Sequence, residues 1–289
     1  MDKSMKKAIV TLAVGKRHGT MFEKHCRLLW SQYAEKYGFD LIVYADSLDD
    51  SALAKSRSPA WQKCLVLSNP TVQKYEQVVW IDSDILINPT SPDVTAGVPA
   101  DKVGVVDQYS SPTSEDYQIH LKRLYEYWKW KNVEGFECLT PTEFHRLYGF
   151  EGEFNSVVNT GVMVLSPEHH KCLLEHVYYN YEDKGNKMLY EMRPLSFEIL
   201  TQRLEHWISP KFNMIWPDMK TYTYPFFPNR KGIFEKGLKK LNVEVRASLL
   251  KKCVTTAFLN NYFLHFAGGS TPDMRFVDTK ISSQYKFLT

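Results

Sequence analysis

The stretch YEQVVWIDSDILIN, residues 75–88, decides the fold that we expect for this chain. Its two apolar runs, VVWI at 78–81 and ILI at 85–87, are rich in β-branched residues, which is typical of a strand covered on both faces in an α/β sheet. Asp82 and Asp84 stand between these runs. Because a buried carboxylate without compensation is costly, a positively charged group must meet this pair.

The spacing of the two aspartates predicts a shared ligand. At i and i+2 their carboxylates lie on one face if the strand continues, or in one short turn if it ends. Two hard oxygen ligands then converge, which suits Mg²⁺ or Mn²⁺ held jointly by the protein and a phosphate-bearing substrate. Because the pattern is short, a turn or N-cap pair of aspartates without a metal is the alternative.

Composition sets the broad class of the protein. A chain of 289 residues with 44% hydrophobic and 24% charged residues is ordinary for a soluble globular protein, and it can bury a substantial core. The net charge of +3 is too small to indicate nucleic-acid binding. No apolar run is long enough to span a bilayer, and the five scattered cysteines favour free thiols in a reducing compartment. These features predict a cytoplasmic protein.

The first part of the chain has the pattern of a βαβ unit. Residues 7–14 are predicted as a strand, 20–37 as a helix and 40–45 as a second strand, so the two strands should be parallel. Ligands in open α/β sheets collect at the carboxyl ends of strands. We therefore expect residues 11–15 and Asp46 to lie together.

Several later segments also carry predictions. Residues 60–67 are predicted as a short helix, whose Lys63 is either solvated or the partner of a phosphate or carboxylate. A strand at 102–106 is expected beside the metal-binding strand. The aromatic helix at 114–130 favours core or lid packing over a sugar platform. A further helix is expected to begin after residues 191–196 and to end near Trp207.

Residues 155–165 are predicted as a strand with a polar interruption. Gly161 within it marks a bulge or a close backbone approach, which would let the chain come near a ligand. The chain contains no glycine-rich phosphate-binding motif, so the sequence does not support nucleotide binding through such a loop. His265 lies in a late apolar segment, where a buried core histidine is the ordinary interpretation.

Four short segments carry a resemblance to a known family. They are Trp61-x-Lys63, Trp80-Ile81-Asp82-Ser83-Asp84, Asn159-Thr160-Gly161 and His265-Phe266-Ala267-Gly268. In this order they resemble the GT-A fold glycosyltransferases, and more narrowly the retaining family that includes fungal and plant α-galactosyl-, xylosyl- and mannosyltransferases. The resemblance implies an α/β GT-A fold with a mostly parallel central sheet flanked by helices. It also implies one domain over 1–289, with a nucleotide-binding half at 7–110 and an acceptor-side half at 111–289.

The resemblance also implies roles for individual residues. Asp82, Asp84 and His265 would bind the metal, Mn²⁺ or Mg²⁺. Glu191 takes the place of a catalytic acidic residue that faces the donor sugar, but Met192 follows it where related enzymes have Gln, so Glu198 is the second candidate. The residues expected near the nucleotide, diphosphate and sugar of the donor are Thr11, Leu12, Ala13, Asp46, Lys63, Ser83, Asn159, Gly161 and Gly268.

The function predicted is that of a metal-dependent retaining glycosyltransferase. It would move a hexose or pentose from a sugar nucleotide to a glycan, glycoconjugate or other hydroxyl acceptor. The donor expected first is a UDP-linked sugar, and GDP-mannose is the second choice. A D-x-D phosphatase or phosphotransferase is one alternative, although Leu86 stands where that class needs Thr. A carbohydrate-binding protein without turnover is another. The basic segment 230–252 is either a solvated face or a contact for a membrane surface or an acidic acceptor.

Overall fold

The computed structural model describes residues 6–133, 135, 137–227 and 242–280, with the backbone alone at 242–246. Strands and helices alternate through the first half of the chain, and helices dominate the second half. The strands are β1 (Lys7–Leu12), β2 (Phe39–Tyr44), β3 (Gln77–Ile81), β4 (Ile85–Ile87), β5 (Val103–Asp107), β6 (Val158–Leu165), β7 (Glu205–Trp207), β8 (Met214–Ile215) and β9 (Phe263–His265).

The α-helices include three short ones of four to seven residues. In chain order they are α1 (Lys16–His25), α2 (Arg27–Tyr37), α3 (Ala52–Lys55), α4 (Ser114–Trp130), α5 (Pro141–Arg146), α6 (Pro167–Asn180), α7 (Met192–Thr201), α8 (Trp216–Tyr222) and α9 (Asn242–Asn260). Pro59–Ser68 forms a 3₁₀ helix.

The central sheet has six strands in the order β2-β1-β3-β6-β5-β7. β1 pairs in parallel with β2 and β3, β5 pairs in parallel with β7, and β6 runs antiparallel to both of its neighbours. This confirms the predicted α/β class, with its mostly parallel sheet and parallel β1–β2 pair. The prediction that the strand near residues 102–106 lies beside the aspartate strand is wrong, because β6 lies between β3 and β5.

A second, smaller sheet has the strand order β4-β9-β8. β9 pairs antiparallel with β4 and parallel with β8. The apolar run that contains the two aspartates therefore serves both sheets, since β3 belongs to the first and β4 to the second. The chain changes sheets at the aspartates, which places them where the two sheets meet.

One predicted helix is divided in two. The sequence pattern indicates a continuous helix over 20–37, whereas α1 ends at His25 and α2 begins at Arg27. Cys26 between them has φ −104°, and its thiol donates to the carbonyl of Ser83. The helix is therefore broken where its side chain contacts the aspartate turn.

The helix expected to reach Trp207 is shorter than predicted. α7 ends at Thr201, and Arg203 adopts a left-handed conformation with φ 54°. Residues 205–207 then form β7, an edge strand parallel to β5. The prediction missed this strand because its three residues, Glu-His-Trp, lack the apolar run that indicates a buried strand.

The core lies on both faces of the central sheet. Alternate residues of β3 face opposite sides: Val79 and Ile81 belong to one apolar cluster, and Val78 and Trp80 belong to the other. Each face of β3 is therefore covered, which explains why its apolar run is continuous. Asp82 follows directly on this buried strand, so its backbone is anchored at the edge of the core.

A third apolar cluster forms around α4. Tyr117, Leu121 and Tyr125 on one face of this helix pack with Tyr109 and Phe144, which confirms the predicted core packing of its aromatic residues. At its carboxyl end Trp130 is exposed. Within the described ranges, no helix combines the length and the apolar character needed to cross a membrane.

Candidate metal centre

Asp82 and Asp84 lie in the turn between β3 and β4, at the carboxyl end of β3. The N–H of Asp82 donates to the carbonyl of Gly161 at 2.8 Å, and the N–H of Ile85 donates to the carbonyl of Asp82 at 3.2 Å. Both aspartates are half-buried. Of the two predicted arrangements, the short turn is therefore the one that forms.

Hydrogen bonds from the start of α2 and from the residue after β9 hold the backbone of this turn. They join the Cys26 thiol to the Ser83 carbonyl (3.4 Å), the Trp30 indole N–H to the Ile85 carbonyl (2.8 Å) and the Phe266 N–H to the Asp84 carbonyl (3.0 Å). Backbone carbonyls are thus used to fix the turn.

His265 reaches the aspartates because β9 pairs with β4. In this antiparallel register His265 lies opposite Ile85. Its Nε2 is 3.2 Å from Oδ1 of Asp84 and 3.9 Å from Oδ2 of Asp82. One potential ligand atom from each of Asp82, Asp84 and His265 lies within 4.8 Å of the others. The structure therefore brings together the three residues that the sequence analysis predicted as metal ligands.

A chain of hydrogen bonds fixes the tautomer of His265. The backbone N–H of Gly161 donates to Asn159 at 2.9 Å, so the atom that faces it is Oδ1. That oxygen also accepts from Asn213 Nδ2 at 2.6 Å, which leaves Asn213 Oδ1 facing His265 Nδ1 at 2.9 Å. Since an oxygen only accepts here, Nδ1 carries the proton. The lone pair of neutral His265 is therefore on Nε2, the nitrogen that faces the aspartates.

The site favours a positive charge at His265. Burial disfavours the imidazolium, but the carboxylates of Asp84 and Asp82 together outweigh burial and raise the pKa of His265 above its ordinary value. The two half-buried carboxylates thus attract a cation to the place where Nε2 points. A divalent metal would satisfy the same attraction.

Gly161 is required by the position of the His265 ring. A Cβ at this position would lie 2.8 Å from Cε1 and 2.9 Å from Nδ1 of His265, closer than carbon side chains pack. The predicted close approach of the backbone is therefore present. Its partner is the histidine ring, whereas the sequence analysis expected a ligand.

Lys63 joins Asp82 to Glu191. Its Nζ lies 3.0 Å from Oδ1 of Asp82 and 2.8 Å from Oε1 of Glu191, and it also donates to the Thr160 carbonyl at 3.4 Å. An ammonium group has three N–H donors, so all three have partners. Of the alternatives that the sequence left open, the carboxylate partner is the one that the structure contains.

The charge of Lys63 is stabilised by its partners. It is only 4% exposed, and burial alone would favour the neutral amine. The carboxylates of Asp82 and Glu191 outweigh this effect and raise the pKa of Lys63. The Trp80 indole donates to the same Asp82 oxygen at 2.8 Å, so Oδ1 of Asp82 is saturated by protein groups while Oδ2 faces His265.

Glu191 is a buried carboxylate with one unsatisfied oxygen. Oε1 pairs with Lys63 and accepts from the Thr160 hydroxyl at 3.3 Å, whereas Oε2 is buried and has no hydrogen-bond partner in the described part of the chain. Burial raises the pKa of Glu191, and Lys63 opposes this shift. An unpaired buried carboxylate oxygen is costly, so Oε2 calls for a hydrogen-bond donor from a water molecule or a ligand.

The backbone before Glu191 is strained. Leu189 and Tyr190 have φ values of 60° and 50°, which is unusual for two consecutive residues other than glycine. Strain of this kind persists where surrounding contacts impose it and is concentrated at functional sites. Glu191 is thus held in place directly after a strained segment, at the start of α7.

Glu198, the second candidate for the catalytic carboxylate, has different neighbours. It accepts hydrogen bonds from the Tyr181 hydroxyl and from Gln202, and it pairs with His176 at 3.4 Å. None of these partners contacts Asp82, Asp84 or His265 in the described residues. The structure therefore brings Glu191, and not Glu198, to the lysine beside the aspartates.

The residues predicted to contact the nucleotide lie at the carboxyl ends of β1 and β2. Leu12 pairs with Tyr44 in the parallel register, and the Ala13 N–H donates to the Tyr44 carbonyl at 2.8 Å. Thr11 is fully buried, and its hydroxyl has no hydrogen-bond partner among the residues that the structure describes, whereas Asp46 is exposed. The ends of β1 and β2 therefore lie side by side at one edge of the central sheet, as expected.

The remaining predicted donor residues lie around His265. Asn159 donates from Nδ2 to Gln108 Oε1 at 3.0 Å in addition to its contacts described above. Gly268 follows β9 with φ 62° and begins a 3₁₀ segment, Gly268–Phe276. Asn159 and Gly161 are joined to His265 through the amide chain, whereas Gly268 is joined to it through the backbone alone.

The sequence analysis missed Asn213, which contacts His265, one of the three candidate metal ligands, directly. It lies at the end of the 3₁₀ segment Pro210–Asn213, in a stretch that the sequence indicates only as irregular. No local pattern distinguishes this asparagine from others, because its contacts are with β6 and β9. What distinguishes Asn213 is its burial, since a polar side chain that is only 1% exposed is unusual.

The chain matches no protein-family model, and none of the curated proteins compared with it is similar. Among solved structures, it is similar to a glycosyltransferase involved in the glycosylation of the major capsid of PBCV-1. The TM-score is 0.50 at 12% identity, over 93% of this chain and 98% of that one. This likeness, together with the mixed sheet, defines the GT-A fold.

Two further solved structures are similar with TM-scores below 0.5. The galactosyltransferase LgtC, in complex with donor and acceptor sugar analogs, has a TM-score of 0.45 at 10% identity, over 96% of this chain and 94% of that one. The glycosyltransferase GlyE of Streptococcus pneumoniae TIGR4 has a TM-score of 0.44 at 12% identity, over 98% of this chain and 60% of that one.

Proposed function

We propose that this protein is a metal-dependent retaining glycosyltransferase that moves a sugar from a sugar nucleotide to a hydroxyl acceptor. The observation that carries the proposal is the convergence of Asp82, Asp84 and His265 at the carboxyl end of β3 in a GT-A fold. Open α/β sheets bind ligands at this edge. We infer that the sugar nucleotide binds along it.

The residues present fit a divalent cation. Two carboxylates and one imidazole are the ligand types that Mn²⁺ accepts, and Mg²⁺ accepts the carboxylates. Asp82 and Glu191 share the ammonium group of Lys63, whereas Asp84 faces His265. A divalent cation would offset the remaining negative charge. Asp82, Asp84 and His265 would hold it, and when bound it would neutralise the charge that develops on the departing diphosphate.

Glu191 is the proposed catalytic carboxylate. Lys63 holds Oε1, so the side chain has a fixed orientation, and Oε2 has no hydrogen-bond partner among the described residues. A carboxylate beside the anomeric carbon stabilises the positive charge that forms as the glycosidic bond breaks. Its ion pair with Lys63 weakens it as a nucleophile. We therefore favour attack of the acceptor from the leaving-group face, with the departing phosphate taking the acceptor proton.

The remaining predicted contacts complete the proposal. Thr11, Leu12, Ala13 and Asp46 would bind the nucleotide at the ends of β1 and β2, with UDP preferred to GDP. The acceptor would be a glycan or another hydroxyl compound.

One domain over 1–289, with halves at 7–110 and 111–289, remains a prediction. The basic segment 230–252 also remains a prediction, and its residues 230–241 lie outside the described part of the chain.

A panel of sugar nucleotides tests the proposal directly. We expect that one of them, a UDP-sugar in the first instance, is hydrolysed slowly with Mn²⁺ and not with EDTA. Asp84→Ala should lower this hydrolysis at least a hundredfold, whereas Asp50→Ala, at an exposed position, should retain it. Hydrolysis of a generic phosphate ester, with no sugar nucleotide turned over, would instead favour a phosphatase.

A further inference from the structure

The amide chain that ends at His265 continues on the other side of Asn159. Asn159 donates from Nδ2 to Gln108 Oε1 at 3.0 Å, and Gln108 donates from Nε2 to the Tyr117 hydroxyl at 2.7 Å. Together with Asn213, these side chains form one continuous series of hydrogen bonds from α4 to the candidate metal ligand. The candidate metal centre is therefore connected to α4 through polar side chains.

Every hydrogen bond in this series has the same direction. The backbone N–H of Gly161 can only donate, so Asn159 must present Oδ1 to it. Asn159 therefore presents Nδ2 to Gln108, which must turn its Oε1 towards Asn159 and its Nε2 towards Tyr117. On the other side of Asn159, the same reasoning gives the Nδ1–H tautomer of His265. One backbone N–H thus sets the direction of the whole amide chain.

The oxygen of the Asn159 side chain is fully used by the protein. Its Oδ1 accepts from the N–H of Gly161 at 2.9 Å and from Asn213 Nδ2 at 2.6 Å, which occupies both lone pairs. Asn159 is 7% exposed and Asn213 is 1% exposed, so these bonds are shielded from competing water. A contact of the donor sugar with Oδ1 of Asn159 would break the bond that orients Asn213.

The orientation of Asn213 depends on Asn159. Among the described residues, the Asn213 side chain is hydrogen-bonded to Asn159 and His265 alone. A reversed Asn213 amide would place its oxygen against Oδ1 of Asn159, and two buried acceptors would then face each other without a proton, which is costly. Without the Asn159 oxygen, Asn213 could turn over and serve either tautomer of His265.

We propose that Asn159 is a positioning residue for the candidate metal ligand His265, and that it acts by fixing the direction of the amide chain. The inference rests on the proposed glycosyltransferase function and deepens it, because it assigns Asn159 to the metal site and not to the donor sugar. With Nδ1 protonated, the Nε2 lone pair faces Asp82 and Asp84, where a cation would bind. In the other tautomer Nε2 would carry a hydrogen and could not bind a metal.

A purely structural role for Asn159 is the competing explanation. Asn159 lies on β6 opposite Val106 of β5, beside an irregularity in the pairing of these strands. Loss of its side-chain hydrogen bonds could loosen β6 and lower metal affinity without any change in the tautomer of His265. The experiment must therefore read the tautomer itself.

Nitrogen NMR of the full chain measures this tautomer. Protein labelled with ¹⁵N-histidine is measured without metal at alkaline pH, where imidazoles are neutral, and the signals of His265 are those missing from His265→Gln. We expect the proton on Nδ1 and an unprotonated Nε2 in the native protein. A native protein with the proton on Nε2 would overturn the proposal.

Two substitutions of Asn159 separate the explanations. Asn159→Asp keeps an oxygen that accepts from Asn213, and Gln108 can turn over because a tyrosine hydroxyl also donates, so the native tautomer should persist. Asn159→Leu removes this oxygen, so the Nε2–H tautomer of His265 should become populated. Asn159→Ala makes the same test if the leucine variant does not fold. An unchanged tautomer in a folded variant that lacks the oxygen would overturn the proposal.

Binding of Mn²⁺ measures the consequence for the metal site. Electron paramagnetic resonance of free Mn²⁺ should show an affinity lower by about tenfold or more in Asn159→Leu than in the native protein. Asn180→Leu, at an exposed position on α6, is the matched control and should bind Mn²⁺ like the native protein. Equal affinities for Asn159→Leu and the native protein would overturn the proposed role.

Failure of the proposed function would give a different result. A native protein that has the expected tautomer and binds Mn²⁺, but turns over no sugar nucleotide, would refute the glycosyltransferase proposal and leave the role of Asn159 in place. Turnover of a sugar nucleotide by a native protein with the Nε2–H tautomer of His265 would refute the role of Asn159 alone.

Discussion

At the scale of single residues, the charge balance of the site depends on Lys63. Its buried ammonium group is shared by Asp82 and Glu191, and its third donor is bonded to a backbone carbonyl. Buried ion pairs contribute little net stability, but removal of one partner leaves an uncompensated charge. The effect of a substitution here therefore depends on which charges remain.

Replacement of Lys63 by methionine is expected to destabilise the metal-free protein. Because Asp82 and Glu191 would lose their cation, the free energy of unfolding should fall by about 3–5 kcal/mol. Urea unfolding in EDTA measures this change. The double variant Lys63→Met/Glu191→Gln should recover about half of the loss, and Lys24→Met on the surface should change stability by less than about 0.5 kcal/mol. A loss under 1 kcal/mol in the single variant would contradict the ion-pair interpretation.

A methyl group at Gly161 should displace the ring of His265. The added Cβ would approach that ring to 2.8 Å, so Gly161→Ala should cost about 1–3 kcal/mol in stability. It should also weaken Mn²⁺ binding by about tenfold or more. Calorimetric titration with Mn²⁺ measures the affinity. Gly269→Ala is the matched control, since a Cβ there has no neighbour within 4 Å. Equal affinities for the two variants would contradict the prediction.

Asn213→Ala is expected to weaken metal binding without removing a ligand. His265 Nδ1 would lose the oxygen that accepts its proton, and such outer partners change metal affinity by about 10–100-fold. Electron paramagnetic resonance of free Mn²⁺ reports this affinity. Asn180→Ala, an exposed position on α6, should leave it unchanged. Unaltered Mn²⁺ affinity in Asn213→Ala would mean that the ring is held by packing alone.

At the scale of elements, β6 is positioned by a buried polar connection to α5 and α7. Ser196 on α7 accepts from the Val158 N–H at 2.9 Å, and its own hydroxyl therefore donates to His145 Nε2 at 2.9 Å. His145 Nδ1 donates to the Pro141 carbonyl at 2.8 Å. The connection requires neutral His145, and burial lowers its pKa to about 4. The start of β6, which carries Asn159 and Gly161, depends on this histidine.

This connection predicts a loss of stability in mild acid. The unfolded chain binds a proton at His145 near pH 6.5, whereas the folded chain does so only near pH 4. The stabilisation is therefore present above pH 6.5 and is lost as the pH falls towards 4. Between pH 6.5 and 5 this residue should account for about 1–2 kcal/mol of the decrease.

Denaturant unfolding as a function of pH measures this effect. His145→Gln should be less stable at neutral pH but should show a shallower decrease between pH 6.5 and 5. His18→Gln, at an exposed position, should keep the slope of the native protein. Parallel curves for the native protein and His145→Gln would show that His145 does not resist protonation.

At the scale of the whole molecule, the candidate metal centre joins the two sheets. Asp82 follows β3 of the central sheet, whereas His265 belongs to β9 of the small sheet. A cation bound by both would stabilise the folded chain, because the unfolded chain does not hold these ligands together.

Addition of Mn²⁺ without nucleotide should therefore stabilise the protein. At a free concentration of about 100 times Kd, the free energy of unfolding should rise by about 2.7 kcal/mol. Thermal unfolding as a function of Mn²⁺ concentration measures this rise. His265→Ala should abolish it, whereas His169→Ala, an exposed histidine on α6, should retain it. A rise of equal size in His265→Ala would place the bound cation elsewhere.

The sequence by itself determined the features that depend on local periodicity. The apolar runs around Asp82 and Asp84 predicted a buried strand, and the helix at Ser114–Trp130 and the parallel β1–β2 pair were also predicted correctly. Only the tertiary structure decided the pairing of Lys63 with Glu191, the contact of Asn213 with His265 and the position of β6 between β3 and β5. The physical reason is distance along the chain: side-chain periodicity is set by neighbouring residues, whereas these contacts depend on strand order and on buried polar groups finding partners.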